Sequence, residues 1–278
     1  MPGTLYIVAT PIGNLEDITL RALRILREVD LVACEDTRQT AKLLSHYQID
    51  KPVTSYHEHN EAEKAPALLE KLLAGQNLAL ASDAGTPCIS DPGYRIVSAA
   101  LQHQIAVIPV PGPCSFIAAL SASGRPTDAF TYLGFLPSQK NARQKLLTSV
   151  GGEPRTLIFF ESPHRLLDSL QEIQAILGDR QITVARELTK IYEEIFSGSI
   201  SEAFAYFSGK PVRGEIVLIL EKAEKKPVLL HSLDKLELKE KVEELIRAHG
   251  VPRMEALKIL AHDLQIPKRE LYAYLHEE

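Results

Sequence analysis

The sequence predicts an α/β protein: two α/β domains followed by a small C-terminal helical bundle resembling a helix-turn-helix. Three observations predict it. Through the first half of the 278 residues, short and continuously apolar runs alternate with helical stripes, the pattern of a parallel sheet covered on both faces. In the second half the apolar runs crowd together with fewer helices between them, as in a mixed sheet with antiparallel neighbours. Beyond a charged, proline-bearing stretch at 222–232 the pattern is helical only. A chain of this length buries enough surface for more than one core. The breaks fall at the turn cluster Gly124-Arg125-Pro126 and at that charged stretch, which divides the chain into 1–124, 125–222 and 233–278.

The first strand is TLYIVAT (4–10), ended by Pro11, which has no N–H for a ladder. The opening MPGTLYIVAT lacks the basic start and small-residue cleavage site of a secretory signal, so it reads as this strand. A wide apolar stripe marks a helix at 20–29, with Asp17 or Thr19 as its cap. DLVACE (30–35) is a second strand and 37–47 a helix. A helix at 62–74, a strand at 77–82, a helix at 93–104 and a strand at 105–110 complete the first half.

In the second half the strands are 130–136, 156–162, 182–189, 191–198 and 215–221. Helices are expected at 139–149, 163–177 and 200–208. Ser162-Pro163 reads as an N-cap followed by proline at the first helical position. Ser199 and Glu202 have capping-box spacing. The tail carries three helical stripes, with Ile266-Pro267 as the turn before the last. A small helical cap without a nucleic-acid role gives the same pattern.

Composition narrows the function. At 45% hydrophobic and 24% charged the chain is an ordinary globular one. No apolar run approaches the ~18 residues of a membrane span, so no membrane partner is expected. Cys34, Cys88 and Cys114 are odd in number and lack CxxC spacing. This argues against a disulfide scaffold and a zinc site, and suits the cytoplasm. A net charge of −5 does not favour nucleic acid, so an RNA partner requires locally gathered cations. Residues 138–150 hold Lys140, Arg143 and Lys145 with no acid. Lys210, Arg213, Lys222, Lys225 and Lys226 add others, and Pro267-Lys268-Arg269 opens the last helix. From 233 to 278 eight basic residues face ten acids.

The unusual segments all follow strands: ATPIGNLEDIT, CEDTRQT, SDAGTPCISDPG and VPGPCS. In a parallel sheet these loops emerge together at the carboxyl edge, where ligands bind. Gly and Pro there let a polar small molecule approach backbone groups closely. No GxGxxG, phosphate loop or GxSxG elbow occurs, which disfavours dinucleotide oxidoreductases, P-loop enzymes and α/β-hydrolases. His57-Glu58-His59 lacks a third ligand on one face, so a polar loop is the better reading and no metal is expected. His164 and Arg165 sit where a helix start would favour an anion.

These residues carry a resemblance. YIVATPIGNLEDITLRAL (6–23), EDTRQTAKLL (35–44), SDAGTPCISDPG (82–93), VPGPCSFIAAL (110–120), GFLP (134–137), FESPHRLLDSL (160–170), ARELTKIYEE (185–194) and RGEIVLILE (213–221) span nearly the whole chain in order. Through them the chain resembles the tetrapyrrole-methylase superfamily, and within it the small-subunit rRNA methyltransferase I family. One departure is Cys114-Ser115, where many members carry Ser-Ala.

The resemblance implies two α/β domains of the tetrapyrrole-methylase type, with folded S-adenosyl-L-methionine in the cleft between them. It implies 2′-O-methylation of a cytidine ribose in 16S rRNA, within the 30S subunit, by a cytoplasmic homodimer. Pro11, Ile12 and Gly13 would line one wall. Asp83, Ala84, Gly85 and Thr86, with Ile89, would hold the amino-acid and ribose parts. Cys114 and Ser115 would approach the methionine end, while ESPHR and Gly214-Glu215 close the cleft. Carboxylates of the matched loops, Asp36, Glu161 and Glu187, are the candidate general bases. Arg38, Arg165, Arg186 and Lys190 are candidates to hold phosphates or developing alkoxide charge. The alternatives are C-methylation of a tetrapyrrole and a non-catalytic RNA-binding assembly factor.

Overall fold

The computed structural model describes residues 1–223, 234–264 and 266–276, without the side chains of 262 and 263. The linker expected at 222–232 lies outside the described residues from 224 onward, together with Lys225 and Lys226. Contacts divide the chain into two compact units, Met1–Ala223 and Glu224–Glu278.

The first sheet is built from β1 (Thr4–Val8), β2 (Leu31–Cys34), β3 (Val53–Ser55), β4 (Leu78–Ala81) and β5 (Ala106–Val110). Its order is β3-β2-β4-β1-β5, with every pairing parallel. Period-two alternation sends Leu78 and Leu80 to one face and Ala79 and Ala81 to the other. Helices α1 (Leu20–Glu28) and α2 (Thr37–His46) cover the alanine face through Ala22, Ile25, Leu26 and Leu44. Helices α3 (Glu61–Leu73) and α4 (Tyr94–Gln102) cover the other through Leu68, Leu72, Ile96 and Ala100. Thr19 caps α1, its hydroxyl accepting from Ala22 N at 3.1 Å. The three-residue edge strand β3 was not expected; it is too short for an alternation to show.

Helix α5 (Ser115–Ala122), also not expected, joins the two halves. Its Phe116, Ala119 and Leu120 pack on Ile158, Ala185, Val217 and Ile219 of the second sheet. An apolar run with little polar punctuation carries no clear helical period, which hid it.

The second sheet comprises β6 (Phe130–Phe135), β7 (Thr156–Glu161), β8 (Gln181–Arg186), β9 (Glu194–Ser199) and β10 (Ile216–Leu220). Its order is β6-β7-β10-β8-β9. Only β6 and β7 are parallel; the other pairs are antiparallel. Helices α6 (Lys140–Ser149), α7 (Leu166–Leu177) and α8 (Ile200–Ser208) bury its outer face against Leu157, Phe159, Leu218 and Leu220. The Ser199–Glu202 capping box forms at the start of α8.

Two expectations are corrected here. The helix expected from 163 begins at Leu166, so Ser162 is not its cap and His164 lies in the preceding turn. The Ser162 hydroxyl instead accepts from Arg165 Nε at 3.0 Å. The strand expected over 182–189 ends at Arg186, because Glu187 and Thr189 adopt left-handed φ of 50° and 67°. Its partner accordingly starts at Glu194 rather than 191.

The second unit holds α9 (Lys235–His249), α10 (Arg253–Leu264) and α11 (Lys268–His276) around a core of its own. Leu238, Val242, Leu257, Leu260, Leu271 and Leu275 are among its buried members. Asp234 caps α9, and Gly250 ends it at a left-handed φ of 63°.

Candidate active site

The post-strand loops of the first sheet are tied to one another by backbone. Thr10 N donates to Gly85 O at 2.9 Å and Gly85 N to Thr10 O at 3.1 Å. The buried Thr10 hydroxyl donates to Ser82 O at 2.9 Å, and the Ser82 hydroxyl to Gly85 O at 2.7 Å. Thr86 Oγ1 donates to Pro113 O at 3.0 Å, bringing in the loop after β5. Asp36 N donates to Asp83 Oδ1 at 3.0 Å, bringing in the loop after β2. Gly85 sits at φ +91°, where an L side chain is strained.

The second sheet closes over this edge. A Cβ on Gly13 would clash with Lys190 Cγ, so only glycine admits the lysine stem there. On the opposite side Ser90 Oγ and Tyr132 OH share a hydrogen bond of 2.6 Å. Between these contacts lies a cavity of about 370 Å³, the size of a small-molecule site. Ile12, Asp83, Ala84, Gly85, Thr86 and Ile89 line one side. Cys114, Ser115 and Phe116 line the start of α5, and Phe135, Phe160, Ala185, Leu188 and Val217 add an apolar wall from the second half. Gly214 and Glu215 also line it.

An adjoining, more open groove shares Ile12, Asp83, Ala84 and Glu215 with the cavity. It adds Pro11 and Gly13, and from α2 it takes Gln39, Thr40, Lys42 and His46, with Lys190 opposite. All ten residues expected to hold the cofactor thus line one or other of two adjoining spaces, with Pro11 and Gly13 in the groove.

The carboxylates expected as bases are each engaged elsewhere. Asp36 is the N-cap of α2, accepting from Arg38 N at 2.9 Å and from its guanidinium at 3.1 and 2.8 Å. Those bonds hold its carboxyl down to about 2. Glu161 lines the cavity, but its oxygens take Arg165 Nη2 at 2.6 Å, Ser162 N at 2.6 Å and the Ser169 hydroxyl. Glu187 accepts from Lys190 Nζ at 2.8 Å and from Glu215 N at 3.2 Å, and the lysine holds its carboxyl below the usual range.

Sequence reasoning singled out neither Glu35 nor Asp91, although both lie in the quoted loops. Both line the cavity and neither forms a salt bridge among the described residues, although His57 is close enough to Glu35 to oppose its rise. Burial pushes Asp91 up to about 7, with Glu35, Asp83 and Glu215 adding to the rise. Burial and Asp83 raise Glu35 as well. The signal in the sequence was the acidity of loops otherwise made of Gly, Pro and Ser; which acids stay unpaired is a tertiary property.

Two cations expected to meet RNA are also engaged. Arg143 is buried, 5% exposed, with Nε and Nη2 on Glu172 at 2.8 and 2.9 Å. Lys210 pairs with Glu194 and lies 3.6 Å from the centre of the Tyr206 ring. His57 is in the turn before α3, where its N–H donates to Asn60 Oδ1 at 2.8 Å. No group of three or more His, Cys, Asp or Glu among the described residues is placed to hold a metal ion. No described helix is long and apolar enough to cross a membrane.

A parallel sheet and a mixed sheet meet over backbone-built loops, an architecture that solved methyltransferases share. The family model of the tetrapyrrole (corrin/porphyrin) methylases matches residues 4–203. Solved structures share the fold: uroporphyrin-III C-methyltransferase from Thermus thermophilus complexed with S-adenosylhomocysteine has a TM-score of 0.57 at 22% identity, covering 80% of this chain and 98% of that one. Diphthine synthase has a TM-score of 0.61 at 14% identity, covering 79% and 90%. Sequence relatives are nearer. The ribosomal RNA small subunit methyltransferase I of Halalkalibacterium halodurans is 48% identical over 99% of this chain and 96% of the relative. That of Escherichia coli O157:H7 is 47% identical over 99% and 96%. The chain belongs to the ribosomal RNA small subunit methyltransferase I family, within the tetrapyrrole methylases.

Proposed function

We propose that this protein transfers a methyl group from S-adenosyl-L-methionine to the 2′-hydroxyl of a cytidine ribose in 16S rRNA. The observation that carries this reading is the pair of adjoining spaces: a cavity for the cofactor beside a more open groove edged by Lys42, His46 and Lys190. The cavity fits the cofactor chemically. Its backbone wall supplies N–H and C=O groups for the polar parts, and Phe116, Phe160, Leu188 and Val217 supply apolar surface for a flat ring. Asp83, Ala84, Gly85, Thr86 and Ile89 hold the amino-acid and ribose parts in this reading, with Cys114 and Ser115 at the methionine end.

When bound there, the cofactor supplies an activated methyl on a sulfonium leaving group. The work of the chain is then to place a ribose oxygen against it and to exclude water, a contribution of orientation. Lys190, held by Glu187 and Glu215 at 2.8 and 3.5 Å, stands in the groove where it steadies a phosphate or a developing alkoxide. Asp36, Glu161 and Glu187 act in this scheme by positioning Arg38, Arg165 and Lys190; the hydrogen bonds on Asp36 and Glu187 also leave those two weak proton acceptors.

The two sheets serve as the cleft's two walls, 1–124 and 125–222, and the bundle of 233–278 as an RNA-binding appendage. A cytoplasmic homodimer acting on the 30S particle completes the proposal. Mass-spectrometric mapping of 16S rRNA from cells with and without the protein tests it. Loss of one cytidine 2′-O-methyl in its absence is expected; an unchanged methylation map overturns it. Labelled cofactor offered with 30S particles or with uroporphyrinogen separates the RNA reading from tetrapyrrole methylation.

A further inference from the structure

The cavity has a one-sided charge. Five carboxylates line it, Glu35, Asp83, Asp91, Glu161 and Glu215, and not one Lys, Arg or His does. Arg165 neutralises Glu161 from behind. Lys190 lies 3.5 Å from Glu215 but faces the groove. Neither Glu35 nor Asp91 forms a salt bridge among the described residues, although His57 draws on Glu35, and Asp83 accepts only an amide N–H. Glu35, Asp83 and Glu215 remain exposed, whereas Asp91 is partly buried beside the aromatic wall, where an unpaired carboxylate is costly unless a cation joins it. These acids repel one another as well: the cost falls on Asp91, which holds its proton to about 7.

Methyl transfer changes the charge of what occupies such a cavity. The sulfonium cofactor carries one positive charge more than the thioether left when its methyl has gone. We propose that Asp91, with Glu35 and Asp83, selects the sulfonium cofactor over its thioether product, so that the same cavity that captures the one expels the other. This rests on the cofactor reading above. The groove sets the opposite condition, since a polyanion is favoured by Lys42, His46 and Lys190. At a separation of about 6 Å and an effective dielectric near 20, one charge pair is worth roughly a hundredfold in affinity, and screening brings this to about tenfold.

Calorimetry on the full chain tests this with S-adenosylmethionine, S-adenosylhomocysteine and sinefungin, which carries a protonated amine in place of the sulfonium. The two cations are expected to bind more tightly than the thioether. Asp91→Asn is expected to weaken both cations about tenfold and to leave the thioether within about twofold; Glu35→Gln shifts in the same direction by less. Undiminished thioether binding shows that the variant is folded. Near pH 6.5 binding of the cations is expected to release a proton, read as a dependence on buffer ionisation enthalpy, while the thioether releases none. The groups facing Asp91 in that titration are Glu35, Asp83 and Glu215, with Cys88 and Tyr132 close enough to feel its charge. Equal loss of all three ligands in Asp91→Asn, or no loss of any, overturns the selection. Failure of the unaltered chain to bind any of the three overturns the cofactor reading instead.

Discussion

The cavity and the groove are neighbours that share Ile12, Asp83, Ala84 and Glu215, yet they differ in charge: the cavity adds only acids to the shared pair, and the groove adds Lys42 and Lys190. The cavity is the less open of the two, walled by backbone and aromatic rings, and its charged lining residues are all acids. The groove is open and takes its cations from the exposed face of α2 and from the turn after β8. One carries unpaired negative charge where a cationic small molecule would sit; the other places positive charge where phosphates would run. The difference teaches that a net charge of −5 says little about an RNA partner, because the acids and bases that matter are sorted over a few ångströms.

The comparison can be broken most forcefully at Gly85. A valine there meets the strain of φ +91° and crowds Ile12. Cofactor affinity is expected to fall by at least about a hundredfold while rRNA affinity changes less than about threefold, as read by calorimetry and filter binding. Parallel losses in both would mean that the two spaces do not work separately. Arg143 sharpens the comparison by belonging to neither. Arg143→Met removes a buried partner of Glu172 and the donor to the Pro137 and Ser138 carbonyls. It is expected to cost about 3 kcal/mol in denaturant unfolding, with rRNA affinity unchanged.

Lys42→Ala combined with Lys190→Ala acts mainly on the groove, reaching the cavity only through Glu215. It should weaken rRNA binding about tenfold and reduce the slope of log affinity against log salt by roughly 1.4 for a single-stranded target. Cofactor binding should stay level. Removing 233–278 is expected to weaken rRNA binding several-fold and to leave cofactor affinity as it was, in keeping with a bundle that has its own core. Equal rRNA affinity of the truncated chain would assign the bundle a packing role. A further effect is expected on stability against pH. Asp91 binds its proton more tightly folded than unfolded, so its contribution is full below about 4 and is lost as pH rises to about 7. Thermal melts of Asp91→Asn should lose that part of the slope.

Much of this site was legible because parallel-sheet topology places loops by rule. Once TLYIVAT, LVAC, LALA and AVIPV are strands with helices between them, the Gly- and Pro-rich segments after them must share an edge. Ile12, Asp83 to Thr86, Ile89, Cys114 and Ser115 do meet there. Pairing was not legible. Arg143 and Lys145 look alike in SQKNARQKLL, and only the fold puts Glu172 beside the first. Glu161 and Asp91 look alike as loop acids, and only the turn at Pro163 brings Arg165 onto Glu161 while nothing neutralises Asp91. The missed elements, β3 and α5, failed for local reasons: one is too short for a period and the other too uniformly apolar.

The loop knot of Thr10, Ser82 and Gly85 has a consequence for how this family would respond to genetic screens. The wall it builds presents mostly peptide groups, and its members at 84 and 85 are already Ala and Gly. Truncating side chains one by one would find little to remove there. A scan of that kind would mark the ion pairs around the cleft and pass over the surface that grips the ligand. Enlarging substitutions, which push into the space rather than empty it, are the ones that would draw its outline.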